Sequence, residues 1–234
     1  MIKNPKVIVV MPAYNAQTTL EKTLNDIPKN IIHKIILVDD ASGDKTVEIA
    51  KKLGLHTIVH KKNKGYGGNQ KTCYKHALTN GADIIVMVHP DYQYDPTLIG
   101  ELIEPIKKGR FDIMLGSRIS SRREVLAGGM PVYKYFANRF LTIFANIVLG
   151  VNLSEYHTGF RAFTREVLEN IPFNKFSDDF VFDQEILIYA IKKKYRIGEI
   201  RVSTRYFKEA SSINFFRSVQ YGIGTVRVLL KTFL

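Results

Sequence analysis

Short apolar runs alternate with helix-like segments through the first half of this chain, and that alternation limits the possible folds more than any other feature. Runs at 7–11, 34–38, 57–60, 84–88 and 112–116 read as buried strands. Between them, 16–26, 44–53, 68–80 and 97–108 read as helices. Asn15 is placed to cap the first, and Gly54 and Gly81 are placed to stop the second and third. A strand, a helix and a further strand form a right-handed βαβ unit, and a run of such units gives a parallel sheet covered by helices on both faces. Ligands of such sheets bind outside the carboxyl ends of the strands. Those ends carry Pro12-Ala13-Tyr14-Asn15, Asp39-Asp40, His89-Pro90-Asp91 and Gly116-Ser117-Arg118.

The second half has a different texture. A polar connection over 120–129 leads to a helix over 133–150, with Phe136, Phe140, Leu141, Phe144, Ile147 and Val148 on one face. A strand over 157–163, a helix over 183–193 and a strand over 198–202 follow. The tail, 214–234, places Phe215, Val219, Ile223, Val226, Leu230 and Phe233 at helical spacing, with Arg217, Arg227 and Lys231 between them. There is no internal repeat.

With 234 residues, 45% of them hydrophobic and 24% charged, the chain suits one domain with a sizeable core and not a disordered segment. Its formal net charge of +12 favours polyanions, whether nucleic acid, anionic lipid or phosphorylated small molecules. The basic residues are dispersed and not clustered with stacking aromatics, which argues against nucleic acid. Cys73 is the single cysteine, so no internal disulfide forms. The apolar run at 7–11 is too short for a signal-peptide core, and no stretch approaches the roughly 20 apolar residues of a membrane span. The expected location is the cytoplasm, free or on the cytoplasmic face of a membrane.

Three strand-end motifs each admit two readings. In "LVDDASGDKT", Asp39 and Asp40 either hold a nucleobase or ribose, or Asp40 or Ser42 merely caps the next helix. In "NKGYGGNQKT", the glycines either cradle a phosphate at a helix start or form a plain turn; the spacing is neither a Walker A motif nor a dinucleotide fingerprint. In "VHPDYQYDP", Asp91 and Gln93 offer oxygen ligands to a hard cation, and His89 is either a further ligand or a hydrogen-bonding strand-end residue.

Taken in order, "VMPAYNAQTTL", "ILVDDASGDKT", "NKGYGGNQKT", "VHPDYQYDP" and "GSR" resemble the family 2 glycosyltransferases of GT-A fold. "EYHTGFRAF", "FVFDQEIL" and "IRVSTRYFKEASSI" are similar to the dolichol-phosphate mannosyltransferase and polyprenyl-phosphate glycosyltransferase branch, and the likeness spans essentially the whole chain. The resemblance implies an α/β, Rossmann-like, mostly parallel sheet with amphipathic helices in the C-terminal half. It implies one catalytic domain over 1–207, with a nucleotide-sugar half at 1–118 and an acceptor half at 119–207, followed by an amphipathic helix over 208–234. Pro12, Tyr14, Asn15, Asp39, Asp40, Gly67 and Asp91 are then expected to bind the nucleotide sugar. A Mn²⁺ or Mg²⁺ ion is expected at His89, Asp91 and Gln93, where His89 replaces the family's first Asp. Asp91, Arg118, Arg161 and Arg205 are expected at the reaction centre, with Lys134, Arg161, Arg205 and Ser211 on the acceptor phosphate.

The implied reaction moves a sugar from GDP-mannose or a UDP-sugar to a polyprenyl or dolichyl monophosphate at a membrane surface, with inversion. A phosphate monoester has a second pKa of about 6, so such an acceptor needs no general base. Two rivals stand beside this reading. A hydroxyl acceptor needs a base, for which Asp183 and Glu185 are candidates. A non-catalytic nucleotide-sugar binder accounts for His89 in place of an aspartate.

Overall fold

The computed structural model describes residues 4–118, 132–204 and 215–231. Its centre is a seven-stranded sheet: β1 (Val7–Ala13), β2 (Lys34–Asp39), β3 (His56–Val59), β4 (Ile84–Met87), β5 (Ile113–Ser117), β6 (Arg161–Thr164) and β7 (Ile197–Arg201), in the order β3-β2-β1-β4-β6-β5-β7. The helices are α1 (Leu20–Asn25), α2 (Thr46–Lys52), α3 (Tyr66–Thr79), α4 (Ile99–Lys107), α5 (Val132–Leu149), α6 (Arg165–Asn170), α7 (Phe182–Lys192) and α8 (Phe215–Leu230).

Alternate residues of the central strands supply two cores, because successive side chains of a strand point to opposite faces. Ile8, Val10, Ile36, Val38, Ile85 and Met87 join the core that takes Tyr74 of α3 and Ile186 and Leu187 of α7. Val7, Val9, Met11, Leu37, Ile84 and Val86 join the core that takes Leu102, Ile103 and Ile106 of α4. Burial on both faces explains why these strands read as unbroken apolar runs.

The elements expected from the sequence are present, with shifts at their ends. β1 runs on to Ala13, and Pro12 stays in register opposite Val38. α3 begins at Tyr66, so two of the turn glycines are inside the helix. The largest difference is the strand expected over 157–163. It is β6, Arg161–Thr164, and it pairs antiparallel with both β4 and β5. The sheet is therefore parallel in six strands with one reversed strand between β4 and β5. The reversal has a consequence for function. The first residue of β6, Arg161, lies opposite Met87 and Leu115, at the edge where the parallel strands end.

Candidate active site

A cleft of about 900 Å³ opens along that edge. Its floor is Pro12 to Ala16 at the end of β1, Asp40 after β2, and His89 to Asp91 after β4. One wall is Asn63 to Tyr66, leading into α3; another is the segment 177–180 before α7, and Arg217 in the first turn of α8 completes the lining.

Asp40 and Asp39 do different things. Asp40 lines the cleft, and its carboxylate accepts from the amides of Lys64 (2.9 Å) and Gly65 (3.0 Å) and lies 2.7 Å from His60 Nδ1. It thereby folds the 60–65 turn over the end of β2. Asp39 is wholly buried behind the lining and accepts from the Ser42 amide (2.9 Å) and the Ser42 hydroxyl. Ser42 Oγ in turn accepts from the Asn15 amide (2.9 Å), and Asn15 Oδ1 accepts from the Gly43 amide (2.9 Å). This bracing holds Asn15 at a φ of 51°, which asparagine tolerates better than most residues, and leaves Tyr14 exposed at the cleft.

The glycines of 65–68 serve close packing. The Gly67 and Gly68 amides, two free donors of the α3 N-terminus, both donate to the Asp178 carbonyl (2.7 and 3.2 Å). A Cβ on Gly67 would lie 2.5 Å from the Ser177 carbonyl and 2.7 Å from Phe182 Cβ. Gly67 therefore stands behind the lining and ties the α3 wall to the 177–180 wall. Lys71 finishes that junction by donating to Asp178 Oδ1 (2.7 Å) and to the Phe176 carbonyl.

His89 and Asp91 face the cleft together. The His89 ring is parallel to Tyr66 within 4°, and its Nε2 lies 3.3 Å from the Tyr66 hydroxyl. Gly159 leaves room for it, since a Cβ there would meet His89 Cδ2 at 2.7 Å. Burial lowers the His89 pKa, which favours the neutral imidazole, the form able to bind a metal. Burial raises the Asp91 pKa, against the opposing pull of His89. A bound cation would relieve that desolvation. The set therefore fits a divalent ion of the type held by one or two protein carboxylates plus phosphate oxygens. Among the described residues no group of three His, Cys, Asp or Glu side chains converges. Gln93 donates its backbone amide to Asp91 Oδ1 (3.1 Å), and its side chain is buried behind the turn.

The two arginines stand outside the lining. Arg118 donates through its amide and Nε to the Glu155 carboxylate (2.7 Å each) and through Nη2 to the His157 carbonyl (2.8 Å). Arg161 is buried at 1% exposure. It donates to the carbonyls of Thr158 (2.6 Å), Tyr156 (3.0 Å) and Asp183 (3.1 Å), and it pairs with Asp183 Oδ2 at 3.3 Å. Both guanidiniums engage the protein interior, and Arg161 reaches the cleft wall through Asp183, which accepts from the Tyr66 hydroxyl. Lys134 is on α5, but its side chain lies outside the described residues, as do Arg205 and Ser211.

The sequence reading missed several cleft residues. Tyr66 donates to Asp183 Oδ2 (2.8 Å) and stacks on Phe180 at 4.6 Å. Lys64 and Arg217 supply cations to the lining. The one signal for Tyr66 was an aromatic set among glycines at a helix start. Arg217 looked like any basic residue of an amphipathic tail.

Comparison with known proteins agrees with this geometry. The sequence pattern described as Glycosyl transferase family 2 matches residues 8–172, which carry every strand end that forms the cleft floor. The chain is a family 2 glycosyltransferase. It is 30% identical, over 86% of its length and 86% of the relative's, to the UDP-N-acetylglucosamine–dolichyl-phosphate N-acetylglucosaminyltransferase of Methanococcus voltae. It is 29% identical over 83% of its length to a low-salt glycan biosynthesis hexosyltransferase of Haloferax volcanii, spanning 46% of that protein. Among solved structures, glucosyl-3-phosphoglycerate synthase of Mycobacterium tuberculosis with UDP superposes on 97% of this family 2 chain and 79% of its own, with a TM-score of 0.77 at 18% identity. The same enzyme with Mn²⁺, UDP-glucose and phosphoglyceric acid gives 0.75 over the same shares. These likenesses show the GT-A fold.

Proposed function

We propose that the enzyme transfers a sugar from a nucleotide-diphosphate sugar to a polyprenyl or dolichyl monophosphate, with inversion at the anomeric carbon. The observation that carries this reading is the state of Asp183 and Glu185, the two carboxylates that the sequence offers as bases for a hydroxyl acceptor. Asp183 accepts from Tyr66 and from Gln70 Nε2 (3.1 Å) and is paired with Arg161. Glu185 accepts from the Ser177 amide (2.7 Å). Both are committed to building the walls. A phosphate monoester is already anionic at neutral pH and asks for cations instead. The acceptor named for the Methanococcus voltae relative supports the same choice.

In the proposed reaction an acceptor phosphate oxygen attacks the anomeric carbon as the bond to the nucleotide's terminal phosphate oxygen breaks. Asp40, through the 63–65 turn, and Asn15 with Tyr14 shape the nucleotide end of the cleft. Lys64 brings positive charge to that end, and Arg217 brings it to the side of the cleft where α8 begins. Arg118 and Arg161 brace the protein behind the cleft, and Lys134, Arg205 and Ser211 remain the proposed partners of the acceptor phosphate. Asp91, with His89 beside it, would hold Mn²⁺ or Mg²⁺, which when bound supplies charge neutralisation for the departing diphosphate.

A lipid acceptor places the enzyme at a membrane surface, on its cytoplasmic face. One observation supports the membrane surface: α5 exposes Tyr133, Phe136, Phe140, Ile143 and Ile147, and α8 exposes Val219, Ile223 and Leu230. No helix among the described residues is long and apolar enough to cross a membrane.

The test is a transfer assay with GDP-mannose, UDP-glucose or UDP-N-acetylglucosamine, a short polyprenyl phosphate, and Mn²⁺ or Mg²⁺. A sugar-phosphate lipid is the expected product, and Asp91→Asn is expected to lower its formation by about 100-fold or more with the fold intact. Transfer only to sugar hydroxyls would overturn the acceptor, and full activity of Asp91→Asn would overturn the metal assignment.

A further inference from the structure

The segment from Glu155 to Thr158 holds both arginines that stand behind the cleft: Arg118 takes the Glu155 carboxylate and the His157 carbonyl, and Arg161 takes the carbonyls of Tyr156 and Thr158. The His157 ring engages the C-terminal helices. Its Nδ1 lies 2.6 Å from the Tyr221 hydroxyl of α8, with the two rings edge to face at 5.4 Å. Gln184 of α7 donates from Nε2 to Tyr221 Oη (3.0 Å) and stands 2.9 Å from His157 Nδ1. The three side chains close a triangle between that segment, α7 and α8.

This triangle is poorly suited to a purely structural role. Gln184 Oε1 is buried without a hydrogen-bond partner, as is Thr142 Oγ1 of the neighbouring α5. A buried network left half satisfied costs stability relative to an apolar one. What the triangle does secure is a position. Tyr221 lies four residues after Arg217, one helical turn along α8, and Arg217 lines the cleft. The same helix carries the exposed residues Val219, Ile223 and Leu230. One short helix thus joins an apolar outer stripe, a cation at the cleft and a polar anchor beneath it.

We propose that His157, Gln184 and Tyr221 form a positioning latch: the triangle sets the first turn of α8 against the cleft, so that Arg217 meets the acceptor's phosphate only when α8 is docked. This rests on the reading that the acceptor is a lipid monophosphate arriving from an apolar surface. His157 and Tyr221 are positioning residues, since they reach the ligand through Arg217.

Tyr221→Phe in the full chain removes the hydroxyl and keeps the ring. The expected result is a rise of about tenfold in KM for a short polyprenyl phosphate, with KM for the nucleotide sugar changed by less than about twofold. Added to Arg217→Ala, it should cost little more than Arg217→Ala alone. An unchanged acceptor KM, or full additivity, overturns the latch. A second readout needs no turnover. Amide hydrogen exchange over 215–230 should accelerate by about tenfold in Tyr221→Phe and in Gln184→Met. Unchanged exchange in both variants overturns the latch. Faster exchange in an enzyme whose wild type transfers nothing to lipid phosphate would uphold the latch and refute the acceptor reading instead.

Discussion

The residues that line the cleft and those that hold the lining in place are interleaved along the chain, often side by side. Asp40 lines and Asp39 braces; Tyr66 lines and Gly67 braces. Gly67 tests this division. A methyl group there would press on the Ser177 carbonyl and on Phe182 Cβ, both under 3 Å away and neither at the end of a flexible side chain. Gly67→Ala is therefore expected to destabilise the enzyme by about 1–3 kcal/mol and to raise KM for the nucleotide sugar by displacing the 177–180 wall. Gly43 is the control. Nothing lies within 4 Å of a Cβ there, so Gly43→Ala should stay within about 0.5 kcal/mol of wild type. Urea unfolding of both variants checks the pair, and equal stabilities would refute the packing account. That the cleft lies at the ends of β1, β2 and β4 was legible in the sequence, because parallel strands advertise their ends as apolar runs meeting polar residues. Which strand-end residue faces the ligand was not. That choice depends on partners distant in sequence: Lys64 and Gly65 for Asp40, Asp178 for Gly67, Asp183 for Arg161.

At the scale of elements, β6 and α5 show where periodicity stops being informative. An apolar run gives no strand direction, so the reversed β6 was invisible, although it is what delivers Arg161 to the functional edge. In α5, Phe136, Phe140, Leu141, Phe144, Ile147 and Val148 read as one face, but the structure divides them. Leu141 and Ala145 are buried, whereas Phe136, Phe140 and Ile147 are exposed at 54%, 67% and 75%. A helix with one stripe on the core and another in solvent is suited to lie against lipid on its outer side. Replacing Phe136, Phe140 and Ile147 together by serine is expected to lower binding to vesicles of mixed neutral and anionic lipid by about tenfold or more, with thermal stability nearly unchanged. Leu141→Ala should do the opposite, costing about 2–5 kcal/mol of stability with little effect on vesicle binding. Vesicle sedimentation and thermal melting of the two variants separate the stripes. Undiminished binding of the triple variant would remove the surface role from α5.

For the molecule as a whole, pH couples the buried groups behind the cleft to folding. The net charge of +12 already repels itself, and His157 is enclosed beside two further cations. Burial, then Arg118 and Arg161, push its pKa from 6.5 down to about 3. Above pH 6.5 the imidazole is neutral in both folded and unfolded chains and has no effect on the balance. Below it the unfolded chain takes up a proton that the folded chain refuses, so stability falls with falling pH until about pH 3. One proton of difference is worth about 1.4 kcal/mol per pH unit, so by pH 5.0 this group alone should lower stability by about 2 kcal/mol relative to pH 7.5. His89 and His76 are also lowered and act in the same direction, while Asp91 is raised and acts in the opposite one. The wild-type slope therefore mixes several groups, and the informative quantity is the change of slope in His157→Gln. Glutamine cannot take up the proton, and its amide can still meet Tyr221. Whatever its stability at pH 7.5, the variant should lose about 2 kcal/mol less than wild type between pH 7.5 and 5.0 in urea unfolding. Equal losses would mean that His157 is protonated in the folded enzyme, and that its ring meets Arg118, Arg161 and Tyr221 as a charged group.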